Sequence, residues 1–217
     1  MPLHLLNDRL WFPPVEDSMD DGLLAIGGDV SPERLLLAYQ HGIFPWYNED
    51  LPLWWAPDPR FVLFPDDVCI HKSMQAIIRK GIFSWTVNQS FEEVVKFCST
   101  SRRPNQDGTW LNEELIDSLV ILHQKGHAHS VEVWQNEQLV GGLYGIKVGR
   151  VFCGESMFSS VSNASKFGLL NYVHQLKKEG IVLIDCQVYS EHLASLGARM
   201  IERKKFMEIL SLPHHSE

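Results

Sequence analysis

Nine of the eleven prolines in this chain lie at positions 2, 13, 14, 32, 45, 52, 57, 59 and 65, together with four of the seven tryptophans. Proline fixes φ and donates no backbone hydrogen bond, so a segment this rich in it is predicted to be irregular and pinned by aromatic contacts. One helix fits inside it, opening at a Ser31–Pro32 cap and stopping at Gly42. The composition break near Pro65 divides the chain into a small N-terminal domain, residues 1–65, and a larger domain, residues 66–217. That suits a length of 217 residues, about one and a half ordinary domains.

Beyond Pro65 the hydrophobic periodicities become regular. They predict a helix over 71–80, a strand over 82–87 and a helix opening with a Ser90-to-Glu93 capping box. Asn112 caps a further helix to Lys125. Segments 128–135 and 138–148 read as strands across a tight Asn136–Glu137 turn, and Arg150 to Glu155 as a third strand. A helix from Asn163 to Glu179 stops at Gly180; strand 181–187, a short helix and a last strand near 198–201 follow. A meander feeding a β-α-β crossover gives a mixed sheet with helices on both faces, an α+β architecture. The order of elements resembles the acyltransferase fold of the N-acetyltransferase superfamily, but one scaffold hosts many reactions. The glycine-rich pyrophosphate loop that an acetyl-CoA enzyme of that fold places after the third meander strand is missing.

The net charge of −8 means that nucleic acid is met only by a local patch. No apolar run approaches the ~20 residues needed to span a bilayer, and the N-terminal MPLHLLNDRLWFPP is not a secretion signal. Four widely spaced cysteines in apolar surroundings predict reduced, buried thiols and a cytoplasmic setting. His123, His127 and His129 lack zinc-site spacing, and Gly27–Gly28 and Gly141–Gly142 lack nucleotide-loop spacing. No metal is expected, and nothing in the pattern requires a dimer.

Strand 181–187 is apolar on both faces until Asp185, which marks a central strand with a carboxylate near its C-terminal end. Gln187 shares its side. The pair reads either as a satisfied structural turn or as a polar site at a strand end. The stretch RVFCGESMFSSVSNASK (150–166) places Glu155 next to that strand if the crossover is adjacent. Phe152 and Glu155 have opposite parity, so both line one cavity only if Gly154 marks a bulge or the strand has ended. Lys72, Arg79 and Lys80 share a helix face, and Arg102 and Arg103 follow in a polar loop, enough for a weak phosphate contact or simply a solvated face. Trp46, Trp54, Trp55 and Trp110 either stack a base or hold the proline-rich segment together.

Blocks spread over nearly the whole chain carry a resemblance. GLLAIGGDVSPERLLLAYQHGIFPW (22–46), LWWAPDPRFVLFP (53–65), DGTWL (107–111), LHQKGHAHSVEVW (122–134), LVGGLYG (139–145), FCGESMFS (152–159), NASK (163–166), IDCQ and HLASLGA occur in that order. The chain resembles the leucyl/phenylalanyl-tRNA–protein transferases. The resemblance implies a cytoplasmic bacterial enzyme with an acyltransferase-like C-terminal domain and no cofactor. It implies transfer of Leu or Phe, and less readily Met, from aminoacyl-tRNA to the α-amino group of proteins beginning with Arg or Lys, marking them for N-end-rule degradation. It maps catalytic roles onto Asp185 and Gln187, and onto Glu155 near the acceptor amine. The aminoacyl and adenosine pocket maps onto Trp46, Trp110, Phe152 and Tyr172, a Phe in relatives, and the tRNA contact onto Lys72, Arg79 and Lys80. An apolar pocket of Leu143, Phe152, Met157 and Tyr172 is expected to select the side chain.

Overall fold

The computed structural model describes residues 3–48, 51–100 and 112–213. The proline-rich segment is a sheet rather than an irregular coil. Strands β1 (His4–Leu6), β2 (Leu23–Gly27), β3 (Phe44–Asn48) and β4 (Leu51–Trp55) pair in the order β1-β2-β4-β3. Its prolines sit where no ladder donor is needed. Pro45 is on the edge strand β3, and Pro52 precedes the part of β4 that pairs with β2. Helix α1 (Pro32–Gln40) begins as predicted, the Ser31 hydroxyl accepting the Arg34 N–H, and ends before Gly42 in the left-handed region. Trp54 is fully buried and donates its indole N–H to the Gly27 carbonyl at 2.9 Å.

The second sheet joins β5 (Arg60–Leu63), β6 (Ser84–Val87), β7 (Ala128–Gln135), β8 (Gln138–Val148), β9 (Val151–Ser159), β10 (Leu183–Gln187) and β11 (Arg199–Ile201) in the order β11-β5-β10-β9-β8-β7-β6. The break expected at Pro65 is therefore crossed: β5, ahead of it, lies between β10 and β11. Residues Phe61, Val62 and Leu63 are as buried as any core strand, and that apolar run outweighs the flanking prolines. The crossover from β9 to parallel β10 runs through α5 (Ala164–Lys178).

Alternation along these strands divides the interior in two. Val62, Cys153 and Leu183 pack with the N-terminal sheet, α3 (Phe91–Thr100), α4 (Glu113–Gln124) and α7 (Arg203–Leu210). Phe61, Leu63, Phe152 and Ile184 pack on the other face with α2 (Lys72–Lys80) and α5. The glycines of β8 serve close packing: a Cβ at Gly141 would fall 2.7 Å from that of Ala164 on α5.

Three local expectations change. The third meander strand runs on to Ser159, absorbing serines read as loop. The Ser90 N–H is taken by Glu132 Oε1 at 3.3 Å instead of a capping box with Glu93. Cys69 is exposed, whereas Cys98 and Cys153 are buried. Asn112 caps α4 as expected, accepting the Leu115 N–H at 2.9 Å. No helix among the described residues is long and apolar enough to cross a membrane.

Candidate active site

Parallel strands β9 and β10 pair at only three positions: Leu183 with Val151, Ile184 with Phe152, and Asp185 with Cys153. Beyond Cys153, β9 continues against β8 to Ser159, while β10 stops at Gln187. The strands part, and a cavity of about 470 Å³ opens between them. Phe44, Pro45 and Trp46 close it from the N-terminal sheet, and the α6 helix (Glu191–Ala194) brings His192 and Leu193 to its wall. Its size falls within the range for small-molecule sites, roughly 300–1,000 Å³.

Two bulges shape its floor. On β9, Gly154 pairs with Gly145 and Ser156 with Tyr144, so Glu155 is an extra residue that breaks the alternation. This resolves the parity conflict: Phe152 and Glu155 both line the cavity. On β10, Asp185 pairs with Val62 and Gln187 with Phe61, leaving Cys186 as the extra residue. Gln187 then sits at φ 66°, unfavourable for a residue with a Cβ, and its main-chain N–H is held by Asp185 Oδ1 at 2.9 Å. Its side chain crosses the gap, Nε2 donating to Glu155 Oε1 at 2.6 Å. The structure thus joins Asp185, Gln187 and Glu155 in one cluster.

Asp185 is wholly buried and carries a partner that the sequence reading missed. Arg60, equally buried, donates Nε to Oδ1 at 2.8 Å and Nη2 to Oδ2 at 2.7 Å. Such a bidentate pair keeps both carboxylate oxygens occupied. Tyr39 of α1 hydrogen-bonds Glu155 from the N-terminal side. Burial raises the Glu155 carboxyl to about 8, with the nearby Asp185 charge adding and the bonds from Tyr39 and Gln187 opposing. Glu155 therefore holds its proton at neutral pH.

The walls are apolar. Leu143 and Met157 face each other across β8 and β9 and, with Phe152, Leu169 and Ile184, line the cavity. Gly145 makes room for Phe152, since a Cβ there would meet the phenyl ring at 2.5 Å. Tyr172 does not reach the cavity. It stands behind Phe152, ring on ring edge at 5.2 Å, wholly buried with its hydroxyl lacking a partner among the described residues. Trp46 lines the mouth and packs on Trp55 at 6.3 Å between centroids. Trp110, Arg102 and Arg103 lie outside the described residues.

Lys72, Arg79 and Lys80 are exposed on α2. That helix is tied to the cavity wall: His71 bonds the Ser195 carbonyl at 2.7 Å, and the Cys69 N–H bonds that of Leu196, just past α6. His123 stacks on Phe91 at 4.2 Å and His129 pairs with Asn88. Among the described residues no group of three His, Cys, Asp or Glu side chains is placed to hold a metal ion. Of the residues that sequence reasoning missed, Arg60 carried one signal: a cation at the head of the apolar run FVLF needs a buried counter-charge.

A mixed α+β scaffold with an apolar cavity over a buried amide–carboxyl floor is an enzyme's layout. The comparisons with known proteins make the class specific. Residues 62–211 match the family model described as leucyl/phenylalanyl-tRNA protein transferase, and residues 28–58 match the model of its N-terminal domain. Proteins named leucyl/phenylalanyl-tRNA–protein transferase are similar along their length. The one from Flavobacterium johnsoniae is 56% identical over 96% of this chain and 99% of its own. That from Christiangramia forsetii is 53% identical over 96% and 100%, and that from Syntrophus aciditrophicus 53% over 97% and 88%. Among solved structures, a GCN5-related N-acetyltransferase from Kribbella flavida matches at a TM-score of 0.41 and 10% identity, covering 75% of this chain and 58% of that one, too slight a likeness to assign chemistry. The chain belongs to the leucyl/phenylalanyl-tRNA–protein transferase family.

Proposed function

We propose that the opening between β9 and β10 is where a leucyl or phenylalanyl group, and less readily a methionyl group, passes from tRNA to the α-amino group of a protein beginning with Arg or Lys. The observation that carries this is the cavity itself, with apolar walls fit for those side chains and the Gln187–Glu155 pair as its floor. We also read residues before Arg60 as the smaller domain and the larger sheet as acyltransferase-like. The parting of two parallel strands after a three-residue ladder supports that reading.

The donor is an activated ester, so the reaction is an aminolysis that needs positioning more than a covalent intermediate. The ester bond to the tRNA ribose breaks, an amide bond forms to the acceptor nitrogen, and the released ribose oxygen takes up the proton that the nitrogen loses. An α-amino group titrates at about 7.7–8.0 and must be neutral to attack. The floor favours this form: Arg60 offsets the Asp185 charge and Glu155 is uncharged at neutral pH, so little holds an ammonium in place. With its NH2 donating to Glu155, Gln187 keeps its carbonyl Oε1 to accept a hydrogen from the amine. An amide is too weak a base to keep that proton, so Gln187 orients and the ribose oxygen completes the transfer. Asp185 acts through the Gln187 main chain.

Leu143, Phe152 and Met157 would choose the side chain, and the flexible Met157 suits both branched and planar groups. Exposed Lys72, Arg79 and Lys80, on the helix tied to α6, would take tRNA phosphates. The test is transfer of labelled leucine from Leu-tRNA to two peptides differing only in an N-terminal Arg or Ala, without CoA, for wild type and Gln187→Ala. Transfer to the Arg peptide alone, down about a hundredfold in Gln187→Ala, is expected; equal rates for the two enzymes would overturn the assignment.

A further inference from the structure

Arg60 lies at the meeting of three parts of the chain. Its guanidinium carbon stands 4.7 Å from the Phe44 ring of β3 and 4.7 Å from the Phe206 ring of α7. The guanidinium presents Nε and Nη2 edge-on to Asp185, and both residues are at most 1% exposed. Asp185 Oδ1 accepts from Arg60 Nε and from the Gln187 main-chain N–H, and the Cys153 thiol contacts the same carboxylate. The Asp185 carboxylate thus bonds the main-chain N–H of the left-handed turn at Gln187. The chain of contacts therefore runs from two aromatic rings through one guanidinium and one carboxylate to the amide that floors the cavity.

We propose that Arg60 is a positioning residue for the transfer reaction: packed against Phe44 and Phe206, it fixes the Asp185 carboxylate that sets the Gln187 turn and aims the Gln187 side chain. The role rests on the reading of Gln187 given above. It uses the fork of arginine rather than charge alone, since a lysine ammonium cannot hold both carboxylate oxygens in one plane or stack on aromatic rings. It also gives the N-terminal sheet and the C-terminal helix, neither of which supplies the Gln187–Glu155 floor, a direct grip on the reacting geometry.

The test measures kcat and both KM values for wild type, Arg60→Lys, Gln187→Ala and the double variant, with folding checked by the denaturation midpoint. Misplacing a reacting group by about an ångström can cost on the order of a hundredfold. Arg60→Lys is expected to lower kcat by roughly tenfold or more while KM for Leu-tRNA and for the Arg peptide stay within about twofold. The double variant should be no slower than Gln187→Ala alone, because Arg60 acts through Gln187. Arg60→Ala supplied with methylguanidinium should regain part of its kcat, and the same addition to Arg60→Ala/Gln187→Ala should regain none. Wild-type kcat in Arg60→Lys beside a crippled Gln187→Ala would overturn the role of Arg60 alone, as would effects that multiply in the double variant. Wild-type kcat in Gln187→Ala would overturn the reading of the site and this role with it. Should Arg60→Ala fail to fold, Arg60→Lys and its cycle decide the matter.

Discussion

Two buried carboxyl clusters lie on the same sheet and meet opposite fates. Glu132 on β7 is fully buried and closed: Ser130 Oγ and the Ser90 N–H bond Oε1 at 2.5 and 3.3 Å, and Thr86 Oγ1 bonds Oε2 at 2.6 Å. Thr86 in turn accepts from the Trp134 indole at 2.8 Å, and none of these residues lines the cavity between β9 and β10. The Asp185–Gln187–Glu155 cluster is fully buried only at Asp185; Gln187 and Glu155 are half-buried and line a 470 Å³ space. A buried carboxyl is therefore not in itself a sign of chemistry. What separates the two is the ladder beside them. β7 pairs with β8 from Ala128 to Gln135, whereas β9 and β10 part after three residues.

The largest effect expected on this contrast comes from Asp185→Ala. It leaves Arg60 charged and buried without its partner, which should cost about 3–5 kcal/mol of stability in urea unfolding. It should also abolish transfer by folded enzyme beyond about a hundredfold. Loss of stability with transfer retained would place Asp185 among closed structural carboxylates like Glu132.

Glu155 gives the next largest effect. Its carboxyl is raised from 4.5 to about 8 by burial, so between those values the folded state binds more protons than the unfolded chain. The sign follows: stability from this group is fully present below about 4.5 and falls as pH rises through about 8. Over that window the loss amounts to a few kcal/mol. Glu155→Gln removes the titration, and its urea midpoint should fall less than that of wild type between pH 5 and 9. Parallel curves would mean that Glu155 is already ionised at low pH and the floor is charged.

Glu132→Gln is expected to cost about 1–2 kcal/mol. The Ser90 N–H needs an acceptor, so the new NH2 turns toward Thr86, which already accepts from Trp134. Transfer kinetics of the folded variant should match wild type. A fall in kcat would couple the closed cluster to the open one.

The open cluster was legible in the sequence and Glu132 was not, and the limits have physical reasons. The order of elements after Pro65, the Ser31 and Asn112 caps and the crossover into β10 follow from short-range patterns, and the structure keeps them. Asp185, Gln187 and Glu155 stood out because a polar group at the end of an apolar strand needs an explanation. A bulge at Gly154 or an end of the strand there is what parity requires, and the extra residue falls one place on, at Glu155. Arg60 and Tyr39 were not found, because their partners are separated by long stretches of chain, Asp185 from Arg60 by 125 residues. The N-terminal sheet was missed because proline content reports local cost and not position: an edge strand or strand end pays none of it. Tyr172 was misplaced by one layer, since a helix pattern tells which residues face the sheet but not which ring stands in front.

That last error gives the smallest and cleanest test. Tyr172 on α5 lies behind Phe152, its ring edge-on at 5.2 Å and its hydroxyl buried without a partner among the described residues. Removing that hydroxyl should lift the cost of an unsatisfied buried polar group, about 1 kcal/mol at the lower end, and leave the ring packing intact. Tyr172→Phe should thus unfold at slightly higher urea concentration, with the ratio of leucine to phenylalanine transfer unchanged. Met157→Ala, whose side chain does line the cavity, should shift that ratio. If Tyr172→Phe moved the ratio as far as Met157→Ala does, the hydroxyl would be sensed through Phe152, and the wall that selects the side chain would be two layers deep.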